Sequence, residues 1–77
     1  MKARIQIHCY ASLRSLAPPT ADEHPITAGT TVASLIRDLG IAPDQIKLAF
    51  VNGRRADLDR TLNHGDRVGL FPPVGGG

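Results

Sequence analysis

Residues 30–41, TTVASLIRDLGI, carry the strongest local signal in the chain, and it is a helix signal. Val32, Leu35, Ile36 and Leu39 recur at the three- and four-residue steps that line up along one face of an α-helix. Thr31, or Thr30 before it, is placed to cap the first turn through its hydroxyl. Gly40 stands where a left-handed capping residue belongs, and Ile41 follows to fold back on the last turn. One amphipathic helix cannot bury its own stripe. Something else in the chain must cover it, and the remainder reads as strands.

Arg4 to Tyr10, RIQIHCY, alternates with period two. Ile5, Ile7 and Cys9 share one side, and Arg4, Gln6, His8 and Tyr10 share the other, which predicts a half-buried strand. The segment ASLRSLAPP has room for one or two helical turns before Pro18 and Pro19 stop it. Asp22 to Ala28, DEHPITA, reads as a second, weaker strand that Pro25 confines to an edge or a strand start. Lys47 to Gly53, KLAFVNG, is largely apolar and ends in Asn-Gly, predicting a central buried strand running into a tight turn. The following RRADLDRTLNHGD is polar, with Leu58 and Leu62 as anchors over the core and His64-Gly65-Asp66 as a turn. RVGLF closes the series as a strand with Val68 and Leu70 inward and Phe71 facing the other way.

The order strand, strand, helix, strand, strand implies an α+β domain of two layers, with the helix laid across a sheet of about four to five strands. The strands on either side of the helix should run parallel, because a crossover joins them. Residues 1–71 then form the folded domain, and 72–77 a tail. At 77 residues there is one small domain, which buries only about 60% of its unfolded surface and has no room for a large internal cofactor pocket.

Composition narrows the functional classes. The chain is 42% hydrophobic and 21% charged, with a net charge of +2, as in ordinary globular domains. Arg54, Arg55, Arg60 and Arg67 are the nearest approach to a basic cluster, but Asp57, Asp59 and Asp66 are interleaved with them. With one Tyr and two Phe to stack on bases, nucleic-acid binding is not expected. The single Cys9 leaves no internal disulfide and no cysteine-rich metal site. No apolar run approaches the roughly 20 residues of a membrane span. The opening MKARIQIHCY lacks a signal-peptide core, so no membrane association and a cytoplasmic location are expected.

The ending FPPVGGG is the part that points to chemistry. Pro72 and Pro73 cannot donate a ladder hydrogen bond and so end the sheet and project the chain outward. Gly75, Gly76 and Gly77 lack a Cβ, which makes the slimmest thread a polypeptide offers, one able to enter a narrow channel in a partner. Ordering such a thread costs about 1–2 kcal/mol per residue, which partner hydrogen bonds to the bared amides must offset. The Gly77 α-carboxylate is a poor electrophile until adenylation makes it a mixed anhydride with an unhindered carbonyl carbon. From composition alone, three consecutive glycines at this point arise about once in a thousand chains. The ending suits a carrier whose own C-terminus is the functional group.

Val51 to Gly77, VNGRRADLDRTLNHGDRVGLFPPVGGG, resembles the C-terminal half of the MoaD/ThiS family of ubiquitin-like sulfur carriers. The matching features are the Val-Asn-Gly turn, the spacing of Leu62 to Gly65-Asp66, and Pro-Pro-Val before the glycines. YASLRSL, residues 10–16, resembles the family's aromatic-Ala-x-x-Arg-x-Leu segment, and TTVASLIRDL resembles its helix. The resemblance implies a β-grasp roll in which the first and last strands pair centrally. It further implies that a ubiquitin-activating-type enzyme (MoeB/ThiF-like) uses MgATP to adenylate Gly77, next to Gly76. Sulfur delivered through a sulfurtransferase would then give a thiocarboxylate.

Pro-Pro-Val and the segment after the first strand look most like the small subunit of molybdopterin synthase, whose large subunit (MoaE-like) accepts the sulfur. No stably bound cofactor and no catalytic site of its own are implied. Position 75 departs from the family's diglycine minimum. Related carriers share such tails and serve thiamin thiazole, cysteine or homocysteine, or a tungsten cofactor, and ubiquitin-like modifiers form isopeptides with lysines.

Phe71, Pro72, Pro73, Val74 and Gly75 are the candidate partner-binding residues around that carboxylate. Cys9 falls on the inward side of its strand and reads as a small core residue. His8, His24 and His64 share no ligand spacing, so no metal site is expected. Arg54 and Arg55 are read as a solvated face, and Asp66 as a turn residue.

Overall fold

The computed structural model describes residues 3–73. Five strands form one sheet: β1 (Ala3–Cys9), β2 (His24–Ile26), β3 (Leu48–Val51), β4 (Arg54–Ala56) and β5 (Arg67–Phe71), in the order β2-β1-β5-β3-β4. The one α-helix among the described residues, α1 (Val32–Asp38), lies between β2 and β3 in sequence. Short 3-10 turns occupy Ala11–Leu16, Ala21–Glu23 and Pro43–Gln45.

The two strands at the centre of the sheet come from opposite ends of the chain. β1 and β5 pair in parallel, with Ile7 opposite Val68 and Cys9 opposite Leu70. β2 is antiparallel to β1, and β3 is antiparallel to β5. The strands flanking α1 therefore run in the same direction, as expected of a crossover, but lie on either side of the β1–β5 pair. Pro25 sits on the outer edge strand, where no ladder donor is needed.

The helix is held at both ends as its sequence requires. Thr31 Oγ1 accepts from the Ser34 N–H at 3.1 Å, and Ser34 Oγ accepts from the Thr31 N–H at 2.8 Å, a reciprocal capping box. Gly40 adopts φ 78°, its N–H donating to the Arg37 carbonyl and that of Ile41 to the Ile36 carbonyl, the paired bonds of a Schellman cap. The stripe is buried: Val32, Leu35 and Ile36 are at most 1% exposed, against Ile5, Ile7, Val51, Val68 and Leu70 of the sheet.

Three readings need correction. Arg54–Ala56 is a strand, not part of a polar connection: Asn52 (φ 55°) and Gly53 (φ 80°) form a two-residue turn with both residues left-handed, which folds the chain straight back onto β3. Its arginines suit an edge that must not recruit another strand. Leu58 is 42% exposed rather than an anchor. The loop faces α1 with its backbone, since the Leu58 and Arg60 carbonyls accept from the Ala33 and Val32 N–H groups, while Leu62 is buried as expected. Finally, β3 is not buried on both faces. Ala49 and Val51 point into the core, and Leu48 and Phe50 lie half-covered on the opposite face.

Among the described residues no helix is long and apolar enough to cross a membrane.

Candidate functional site

The tail leaves from the middle of the sheet. β5 lies between β1 and β3, and its last ladder bond is the Lys47 N–H donating to the Phe71 carbonyl at 2.8 Å. Pro72 and Pro73 follow without an N–H to offer, so pairing stops there. Pro72 is half-buried and Pro73 exposed. Val74, Gly75, Gly76 and Gly77, the expected reactive thread, lie outside the described residues.

Phe71 faces away from the helix, as its parity predicts, and it is not alone there. Tyr10, the residue after β1, stacks on it with ring centroids 4.3 Å apart and planes 5° from parallel. Phe50 of β3 meets the same ring edge-on at 5.5 Å and 76°. Such contacts add about 0.5–1.5 kcal/mol each beyond simple burial. Three of the chain's aromatic side chains, which number one Tyr and two Phe, thus gather at the point from which the tail departs.

Two backbone features build this group. Because β1 and β5 are parallel, their ends coincide, and the Tyr10 N–H donates to the Leu70 carbonyl at 3.1 Å. Ala11 then takes φ 52°, a left-handed conformation that disfavours a side chain, and turns the chain away immediately after Tyr10. Tyr10 and Phe50 were not among the residues anticipated at a site. Their outward parity was readable for Tyr10, but their adjacency to Phe71 depends on pairing between distant strands.

A polar clamp holds the turn that follows β3. Asp66, only 7% exposed, accepts from Asn52 Nδ2–H at 2.9 Å and from the Asn63 N–H at 2.8 Å. Asn52 Oδ1 in turn accepts from the Arg67 N–H at 2.9 Å. The β3–β4 turn is thereby tied to the start of β5, and Asp66 has more than its own turn to hold.

Among the described residues the titratable groups do not assemble into a catalytic set. Cys9 is half-buried on the inner face beside Leu70, and loss of solvent pushes its thiol above the usual range. A protonated thiol is a weak nucleophile, consistent with a packing role. His64 Nδ1 accepts from the Arg4 N–H and His24 Nδ1 bonds the Thr20 hydroxyl, so both are engaged separately. Among the described residues no group of three His, Cys, Asp or Glu side chains could hold a metal.

A mixed five-stranded sheet wrapped over one helix, with a parallel central pair, is a ubiquitin-like β-grasp protein. The ThiS family model matches residues 7–77, and the chain belongs to that family. Among solved structures, it is similar to a Pyrococcus furiosus protein assigned as molybdopterin converting factor, subunit 1, at 28% identity and TM-score 0.64, covering 94% of this chain and 99% of that one. It is also similar to the Haloferax volcanii HVO 2177 protein, at 26% identity and TM-score 0.76 over 99% of this chain and 88% of that one. Small archaeal modifier protein 1 of H. volcanii shares the fold at 24% identity and TM-score 0.69, over 94% and 99% of the two chains. No curated protein matches.

Proposed function

We propose that this chain is a sulfur carrier whose Gly77 carboxylate is adenylated, converted to a thiocarboxylate and presented to a sulfur-accepting synthase. The observation that carries the reading is the Pro-Pro-Val-Gly-Gly-Gly ending, launched from the central strand of a ThiS-family domain. In the first step a Gly77 carboxylate oxygen attacks the α-phosphorus of MgATP on a ubiquitin-activating-type enzyme, and pyrophosphate leaves. In the second the terminal sulfur of a sulfurtransferase persulfide attacks the carbonyl carbon and AMP leaves. A thiol then reduces the resulting acyl disulfide, freeing the thiocarboxylate and leaving a disulfide. The chain's own part is presentation. Gly75, Gly76 and Gly77 offer no side chain to a narrow channel, while Phe71, Pro72, Pro73 and Val74 contact the partner at its mouth.

Molybdopterin synthesis is the acceptor pathway we favour, with this chain as the small subunit beside a large catalytic one. The Pro-Pro-Val string supports it, as does the likeness to the P. furiosus subunit. The same activated carboxyl can acylate a lysine, and the fold is shared with an archaeal modifier. Incubation with a cognate adenylating enzyme, MgATP and a sulfur source separates these. The carrier reading expects an intact-mass gain of one sulfur less one oxygen, abolished by deletion of Gly77 with no loss of folding. Lysine adducts in place of that product would select the modifier reading instead.

A further inference from the structure

The chain has two asparagines, and one of them, Asn52, precedes a glycine. Asn-Gly is the dipeptide most open to loss of ammonia. The Gly53 nitrogen can attack the Asn52 side-chain carbonyl carbon and close a five-membered ring, with no side chain on glycine to obstruct it. Asn63 precedes His64, whose side chain crowds the same approach. The Asn52-Gly53 turn is exposed, and a Cβ built on Gly53 would meet nothing within 4 Å, so the attacking nitrogen has open space around it. By sequence and exposure this is a reactive position.

What holds the side chain opposes the reaction. The Asn52 N–H donates to the Arg67 carbonyl at 2.8 Å, and the Arg67 N–H donates back to Asn52 Oδ1 at 2.9 Å. Asn52 Nδ2–H donates to Asp66 Oδ1 at 2.9 Å, while Asp66 Oδ2 accepts from the Asn63 N–H at 2.8 Å. The amide is thus fastened toward the start of β5 through both its oxygen and its nitrogen. To meet the Gly53 nitrogen, Asn52 Cγ must swing back over its own backbone, and both side-chain bonds must break first. One of them runs to a carboxylate only 7% exposed, a bond of the stronger, charge-assisted kind.

We infer that Asn52 is a site of covalent ageing gated by the Asp66 clamp. It converts to aspartate and isoaspartate only when the clamp opens, and the conversion keeps the clamp from closing again. As the ring forms, the Gly53 N–Cγ bond is made and the Cγ–Nδ2 bond breaks. The Gly53 amide proton passes through water to the departing nitrogen, which leaves as ammonia. Water then opens the succinimide at either carbonyl. Opening at Cγ gives aspartate, whose carboxylate takes the place of the Nδ2 donor and faces Asp66, like charge against like charge. Opening at the backbone carbonyl gives isoaspartate, which routes the main chain through Cβ and Cγ and lengthens the tight turn by one atom. Either product costs the β3–β4 hairpin its tie to β5. The inference goes beyond the carrier reading and holds whatever the tail carries.

The test is incubation of the full chain at pH 8, folded and in guanidinium chloride. Conversion at Asn52 is read by peptide mass spectrometry, and isoaspartate by enzymatic methylation. Conversion in the folded wild type is expected to be about tenfold or more slower than in the unfolded chain, the factor carried by a hydrogen bond to a charged group. Asp66→Ala, in buffer where its own urea curve shows it folded, is expected to convert several-fold faster than wild type. Thr31→Ala, which weakens the helix cap and leaves the clamp alone, keeps the wild-type rate. Asn52→Asp, one product made directly, is expected to unfold at lower urea than wild type. Equal rates in folded and unfolded wild type, or a Thr31→Ala rate as fast as that of Asp66→Ala, overturn the gate. An Asn52→Asp midpoint no lower than wild type overturns the claim that the product holds the clamp open. The two wild-type rates and that midpoint decide the matter by themselves if Asp66→Ala fails to fold.

Discussion

Replacing Asp66 by Ala removes one acceptor that ties the β3–β4 turn to the start of β5 and one that closes the Asn63–Asp66 turn, and the structure sets the size of the loss. The carboxylate is 7% exposed and receives two hydrogen bonds, from Asn52 Nδ2–H at 2.9 Å and from the Asn63 N–H at 2.8 Å. Hydrogen bonds to a charged acceptor contribute about 1.5–3 kcal/mol each. Asn52 and Asn63 are themselves exposed, so water takes over part of the work when the carboxylate is gone. The lower end of the range is therefore the better guide, and two such bonds give about 3 kcal/mol. A domain of this size has a total stability of about 4–12 kcal/mol, from about 0.05–0.15 kcal/mol per residue. Losing about 3 kcal/mol lowers the melting temperature by about 12–24 °C, at about 4–8 °C per kcal/mol. Urea unfolding of Asp66→Ala measures the loss, with the m-value unchanged because the same surface is exposed. Asp66→Asn keeps one acceptor but turns an amide NH₂ toward a donor, so it falls between the two. If Asp66→Ala lies within about 0.5 kcal/mol of wild type, the clamp does not hold the hairpin and the argument fails.

Three further expectations follow from local geometry. Ala11→Gly relieves a left-handed residue at φ 52° and is expected to raise stability by about 1 kcal/mol in urea titration; a loss of stability contradicts the strain. Thr31→Ala breaks the capping box and is expected to cost about 1 kcal/mol by the same measurement, with the sheet intact. Burial raises the Cys9 thiol's pKa, so its stabilising contribution is complete below the ordinary thiol value of about 8.5 and is lost as pH climbs through the elevated folded value. Iodoacetamide labelling of the folded chain at pH 8 is accordingly slower than labelling of the urea-unfolded chain, and equal rates would show Cys9 exposed.

Much of this was legible locally, and what was not depended on distant partners. The helix stripe, its Thr31 and Gly40 caps and the alternation in β1 and β5 are properties of short windows, and each appears where its spacing placed it. β4 was missed because Arg-Arg-Ala carries no strand signal of its own. It becomes a strand only when the left-handed pair Asn52-Gly53 lays it against β3. Leu58 misled because a leucine in a polar stretch reads as an anchor, whereas helix α1 needed that loop's carbonyls rather than its side chain. Phe71 was placed correctly on the outer face. Its companions Tyr10 and Phe50 are 61 and 21 residues away in sequence, and only the parallel β1–β5 and antiparallel β3–β5 registers bring them to it.

The decisive measurement is fragment-ion mass spectrometry of the full chain after reaction with MgATP, adenylating enzyme and a sulfur donor. A sulfur-for-oxygen exchange confined to the fragment ending in Gly77 is the result expected. A whole added sulfur on the fragment containing Cys9, with the Gly77 fragment unaltered, would mean that the thiol carries the sulfur and the terminal carboxylate does not.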